Sequence, residues 1–190
     1  MKRQIIQIFH NLIGKEIKPD NDYRMNPIDS AKQDESVTVK TVDRKTFDNI
    51  VNESINRVSD RGCLLIGNVD RCRDINNIYG RDAGDAVLRY AADVLSDVFE
   101  ECICIGGGSG DVFTWWIQAA SRDGADAVRR NVGIVNDRML HPTEDIPPSS
   151  LSVGAAFCEP GDDCRGLMKK AQKALCLVKE SGRCGCEISM

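Results

Sequence analysis

The chain has 190 residues, 42% of them hydrophobic, and a formal net charge of -4. That length suits one domain plus an extension. No run of Lys and Arg is long enough for a nucleic-acid or anionic-membrane footprint, and pairs such as Arg129-Arg130 and Lys169-Lys170 read as solvated helix faces. No segment approaches the roughly 18 apolar residues that span a bilayer. The start, Met1 to Ile13, has a basic end but no small-residue cleavage site after it, which argues against a signal peptide. A cytoplasmic location is expected. Nine cysteines are present, and without a secretory signal a disulfide framework is not expected. The pairs Cys102-x-Cys104 and Cys184-x-Cys186 are weaker metal signals than C-x-x-C, and both read as strand segments with each pair on one face. No zinc is expected.

Residues 4–13 space Ile5, Ile6, Phe9, Leu12 and Ile13 along one helix face. Residues 15–40 are polar, carry Pro19 and Pro27, and read as a linker. Residues 1–45 are therefore assigned to an amphipathic helix and linker, and residues 46–190 to the globular domain. Thr46 to Val58 has apolar residues at 47, 50, 51, 55 and 58, a helix. Cys63 to Val69 is a buried strand, Asp70 to Tyr79 a short helix ending at Gly80, and Asp82 to Phe99 a long helix. Cys102–Ile105 and Val112–Ile117 are strands joined by a glycine-rich turn. Ala125 to Met139 is helical, and His141 to Ser149 is a proline-bearing loop. Leu151 to Phe157 is a strand, Cys164 to Glu180 a helix, and Gly185 to Ile188 a last short strand. This βααββαβ order is an α+β, ferredoxin-like or palm-type arrangement, a central antiparallel sheet flanked by helices. Its first and third strands are central and its second lies at an edge.

The turn Gly106-Gly-Gly-Ser-Gly-Asp111 offers one carboxylate beside bare backbone, which suits a metal–phosphate site. It is not a Walker loop, because no Lys-Ser/Thr follows and the next element is a strand. Four segments, in order, resemble the GGDEF domains, the diguanylate cyclases. Asn68-Val-Asp-Arg-Cys-Arg-Asp-Ile-Asn-Asn77 stands where that family has Asp-x-Asp followed by Phe-Lys-x-Ile-Asn-Asp. Gly80-Arg-Asp-Ala-Gly-Asp-Ala-Val-Leu88 matches Gly-His-x-x-Gly-Asp-x-x-Leu. Ser109-Gly-Asp-Val-Phe113 takes the place of Gly-Gly-Asp-Glu-Phe. Leu151-Ser-Val-Gly-Ala-Ala156, followed by Ala171 to Arg183, matches Ser-x-Gly-x-Ala and then Ala-Asp-x-Ala-Leu-Tyr-x-Ala-Lys-x-x-Gly-Arg. The resemblance covers about residues 46–190.

Joining two GTP molecules needs a 3′-hydroxyl to attack an α-phosphate, and two Mg²⁺ ions are the usual means. Mg²⁺ wants hard carboxylate oxygens. The resemblance places metal carboxylates at positions 68 and 111 and adds the backbone of Val69; here the pair is Asn68 and Asp111. Losing one unit charge beside a cation costs on the order of 4 kcal/mol at an intermediate dielectric, about three decades in rate if felt fully in the transition state. The position that the family associates with catalysis is Val112, which neither binds metal nor takes a proton. Ser109 replaces the first signature glycine, and its Cβ crowds the close approach of a nucleotide. Asp70, the second Asp of the strand motif, is a further metal candidate with its direction open.

By resemblance, Asn76 and Asp85 read the guanine edge, Lys179 and Arg183 contact phosphate, and Gly110 belongs to the nucleotide turn. Plainer readings stand beside these: Asn76 as a turn residue, Asp85 in the first turn of a helix, Lys179 as a solvated cation. The family's product-feedback motif, Arg-x-x-Asp, corresponds here to Glu100-Glu-Cys-Ile103, which has neither residue. The leading expectation is a degenerate, inactive domain that binds GTP or another guanine nucleotide, or a partner protein, with Mg²⁺ binding weakened. The alternative is a slow or altered metal-dependent cyclase. The N-terminal helix offers a surface for a homodimer or a partner.

Overall fold

The computed structural model describes residues 40–57, 62–100, 102–107, 110–118, 121–143 and 145–189. The helix expected over residues 4–13, most of the linker, and Ser109 lie outside the described residues. The elements are β1 (Lys40–Val42), α1 (Arg44–Asn56), β2 (Gly62–Val69), α2 (Cys72–Tyr79), α3 (Arg81–Val98) and β3 (Cys102–Gly107). They continue with β4 (Val112–Gln118), α4 (Ser121–Leu140), β5 (Leu151–Phe157), α5 (Cys164–Glu180) and β6 (Gly185–Ser189).

The sheet order is β1-β3-β4-β2-β5-β6. β2 and β4 are central, as expected, and pair antiparallel with Asn68 opposite Val112. β2 also pairs antiparallel with β5, Asn68 opposite Ser152. The edges differ from the expectation. β3 is not outermost, because Lys40–Val42 pairs parallel to it, and β6 runs parallel to β5. The sheet is therefore mixed, with an antiparallel centre. Three residues of β1 are too few to display a period-two pattern, and their pairing reaches across more than sixty positions to Cys104. Helix α1 begins two residues earlier than the apolar spacing indicates. The reason is Asp43, whose carboxylate accepts from the Thr46 N–H at 3.0 Å. This cap satisfies a donor at the helix start, and the Thr46 bond holds the Asp43 carboxyl below its ordinary range.

Helices α1 and α5 cover one face of the sheet, over Phe47, Leu64, Ile66, Trp116 and Leu167. Helices α2, α3 and α4 cover the other, over Leu65, Val69, Val87, Trp115 and Val135. Consecutive Trp115 and Trp116 thus go to opposite cores, as strand alternation requires. Each ring removes on the order of 200 Å² from water, about 5 kcal/mol at 25 cal/mol/Å² before ordering entropy is counted. Gly154 lets β5 lie directly against the backbone of α5, because a Cβ there would run into the Ala171 carbonyl and the Leu175 N–H. The result brings the end of β2, the starts of β4 and β5, the start of α3 and the turn after α5 to one end of the sheet.

Candidate nucleotide site

Asn68 is buried near the end of β2. Its Nδ2 donates to the Asp111 carbonyl oxygen at 3.2 Å, and the Val69 N–H donates to the same oxygen at 3.0 Å. The amide at the first motif position thus ties β2 to the hairpin turn. Gly110 in that turn has φ +70°, a left-handed conformation that glycine takes without strain. Asp111 is half-buried. Val112 sits opposite Asn68 in the register and packs against the apolar cluster under α1 and α5.

Asp70 is 4% exposed. Its Oδ1 accepts from Ser152 Oγ and its Oδ2 from Ser150 Oγ, both at 2.7 Å. Oδ2 also accepts from the Cys184 N–H at 3.2 Å, and Arg183 Nε lies 3.8 Å from Oδ1. The open direction of Asp70 is therefore inward, to β5 and the turn before β6. This carboxylate joins three segments of the chain.

On the α2–α3 side, the Asn76 carbonyl accepts from the Gly80 N–H at 3.1 Å and ends α2. The Asn76 side-chain Oδ1 is buried with no hydrogen-bond partner. A Cβ at Gly84 would run into that Oδ1, so only glycine leaves the amide its place against α3. Asp85 follows in the next position of α3 and is half-buried. The buried thiol of Cys72, at the start of α2, is pushed up first by burial and then by the carboxylates of Asp111 and Asp85. Both carboxylates thus raise the same thiol. Sequence reasoning passed over Cys72; the available signal was its replacement of the Phe in the strand–helix motif. Lys179 lies half-buried in the last turn of α5, and Arg183 follows that helix with φ 69°.

The cysteine pairs sit at opposite ends of the sheet, Cys102 on β3 and Cys184 before β6. Cys184 is not in a strand, contrary to expectation; it is a left-handed turn residue with φ 54°. Among the described residues no group of three or more His, Cys, Asp or Glu is placed to hold a metal ion.

Fold and site together define a palm-type α+β domain whose sheet end gathers a hairpin carboxylate, a half-buried amide and acid on two helices, and two cations. A family model described as "Diguanylate cyclase, GGDEF domain" matches residues 39–184. The chain belongs to the GGDEF domain family. An uncharacterised membrane protein of Staphylococcus saprophyticus is 28% identical over 148 residues, covering 73% of this chain and 41% of that protein. The chain thus spans well under half of the curated relatives it matches. The GGDEF domain of DgcB from Caulobacter crescentus, solved in complex with c-di-GMP, superposes with a TM-score of 0.67 at 23% identity, covering 84% of this chain and 99% of that one. The diguanylate cyclase SiaD of Pseudomonas aeruginosa, solved with its activator SiaC, superposes at 0.65 with 23% identity, covering 77% and 58%. At these identities the two structures establish the fold. GGDEF domains generally use Mg²⁺. Among the described residues no helix is long and apolar enough to cross a membrane.

Proposed function

We propose that this domain binds a guanine nucleotide without cyclising it, and serves as a sensing or protein-interaction module in bacterial cyclic di-GMP signalling. One observation carries the reading: the Asn68 amide donates to the Asp111 carbonyl at 3.2 Å, in the place where a metal carboxylate is needed. A carboxylate accepts and cannot donate, so Asn68 makes a bond that the family's residue cannot make. It stabilises the hairpin turn without a cation. The remaining donors fit Mg²⁺ poorly. Asp70 already accepts three hydrogen bonds, Val112 is packed into apolar side chains, and Asp111 is the one signature carboxylate left for a metal, with the Val69 backbone beside it.

The base side supports binding. A buried Asn76 Oδ1 without a partner is unfavourable in the free protein, and turning the amide outward to a donor such as a purine amine or N–H would relieve it. Asp85 supplies a nearby acceptor, and Lys179 and Arg183 supply positive charge for phosphates. Free thiols at Cys63, Cys72, Cys102 and Cys164 suit a reducing compartment, in keeping with a cytoplasmic domain.

The test is incubation with GTP and Mg²⁺ or Mn²⁺, alongside calorimetry with GTP. The expected outcome is binding with no cyclic di-GMP above an Asp111→Ala control. Clear accumulation that disappears in that control would overturn the inactive reading. It would favour the second one, a slow metal-dependent cyclase, for which the half-buried Asp111, the signature carboxylate that remains, is the supporting feature.

A further inference from the structure

We propose that Asp70 is a positioning residue that aims Arg183 at the nucleotide phosphates, an inference that rests on the nucleotide-binding reading above. The turn after α5 is held in an unusual shape. Gly182, Arg183 and Cys184 have φ of 108°, 69° and 54°, and two of these three are not glycine, so the conformation is disfavoured unless its surroundings impose it. Two anchors impose it. The Arg183 N–H donates to the Val178 carbonyl at 2.9 Å, and the Cys184 N–H donates to Asp70 Oδ2 at 3.2 Å.

The carboxylate that grips the turn is itself fixed. Ser150 and Ser152 each donate to it at 2.7 Å, one on each oxygen. Asp70 is 4% exposed, while the Arg183 side chain is 47% exposed. Arg183 Nε lies 3.8 Å from Asp70 Oδ1. The inner end of the guanidinium thus faces Asp70, and its outer Nη groups remain for an incoming anion. Those groups form the fork that pairs with phosphate oxygens. Asp70 in this way sets both the backbone and the direction of Arg183, and it ties them to β2 and β5, the rigid part of the sheet. A carboxylate in the motif strand therefore acts on the triphosphate end of the site through an arginine rather than through a metal.

The experiment is calorimetric titration with GTP and, separately, with guanosine, which has the base and no phosphate. The proteins are wild type, Asp70→Asn, Arg183→Gln and the double variant. Asp70→Asn is expected to weaken GTP about tenfold and leave guanosine unchanged, and to add nothing in the Arg183→Gln background. An unchanged GTP-to-guanosine ratio, or effects that multiply in the double variant, would overturn the proposal. If Asp70→Asn fails to fold and loses guanosine as well, Ser152→Ala decides. It removes one donor from the oxygen that faces Arg183, and an unchanged ratio there again overturns the proposal. A wild type that binds neither ligand sinks the nucleotide reading itself. The Arg183 Nε–H resonance then judges the positioning alone: a clear shift in Ser152→Ala supports it, and an unmoved resonance rejects it.

Discussion

On the α2–α3 side of the site, Asn76 keeps a buried oxygen without a partner, and Gly84 keeps the space for it. On the β2–β4 side, three motif positions are engaged by the protein, and the Asp111 carboxylate is the one left over. Asn68 donates to the Asp111 carbonyl, Val112 enters an apolar cluster, and the Asp70 carboxylate accepts from Ser150, Ser152 and Cys184. The difference has a physical meaning. An unsatisfied buried acceptor lowers stability by about 1–3 kcal/mol, so a ligand that draws the Asn76 amide outward to a donor would relieve that cost. On the β2–β4 side the Asn68 and Asp70 side chains already have protein partners. Under the function proposed above, the first is a retained recognition surface and the second a former reaction centre that now serves as scaffold.

The strongest attempt to break this comparison is Asn68→Asp with Val112→Glu. The first change sets an oxygen against the Asp111 carbonyl in place of a donor, and the second puts a carboxylate among apolar side chains. Together they are expected to reduce stability by roughly 2–5 kcal/mol, read by chemical denaturation, with no gain of cyclase activity. If millimolar Mg²⁺ restores the stability and cyclic di-GMP forms, the β2–β4 side is still a metal site and the contrast fails.

On the other side, Asn76→Ala removes the unpartnered oxygen. Stability is expected to hold or rise by up to about 1 kcal/mol, while GTP affinity drops about 10–100-fold. A loss of stability with unchanged affinity would make Asn76 structural. Gly84→Ala sharpens the same point. Alanine is the better helix former by about 1 kcal/mol, but its Cβ displaces Asn76 Oδ1. The expected result is an unchanged or higher melting temperature with GTP affinity about tenfold weaker; equal affinity would show that Asn76 does not contact the base.

The smallest effect concerns pH. Burial pushes the thiols of Cys164 and Cys186 from 9.0 up to about 12, and raises Cys63 as well. Between those values the unfolded chain has lost protons that the folded protein still holds. Stability therefore declines as pH rises from about 9 to about 12, and is unaffected by these groups below 9. Cys164→Ala is expected to flatten that slope slightly, measured as the difference in midpoint between wild type and variant across the range.

Much of the fold was legible because the informative patterns are local. The apolar spacing of Val87, Leu88, Ala91 and Leu95 marks α3, and Cys164 to Glu180 is helical from end to end. The βααββαβ element order indicated which strands are central, and the four motif segments, taken together, indicated the family. β1 was not legible, since three residues carry no period and its partner strand lies far along the chain. Cys72 was missed because nothing near it in sequence reveals that Asp111 and Asp85 both act on it. Cys184 read as strand because its left-handed turn is imposed from 114 positions away, by Asp70.

The sequence by itself determined the family, the central sheet and the identities at the motif positions: an amide at 68, a carboxylate at 111, a valine at 112. Only the tertiary structure decided what those identities do. The Asn68 amide closes on the hairpin 43 residues away, and Asp70 reaches serines 80 and 82 residues away. Such partners are set by strand register across the sheet, where a side chain's local pattern says which face it takes and nothing about the atom that it meets.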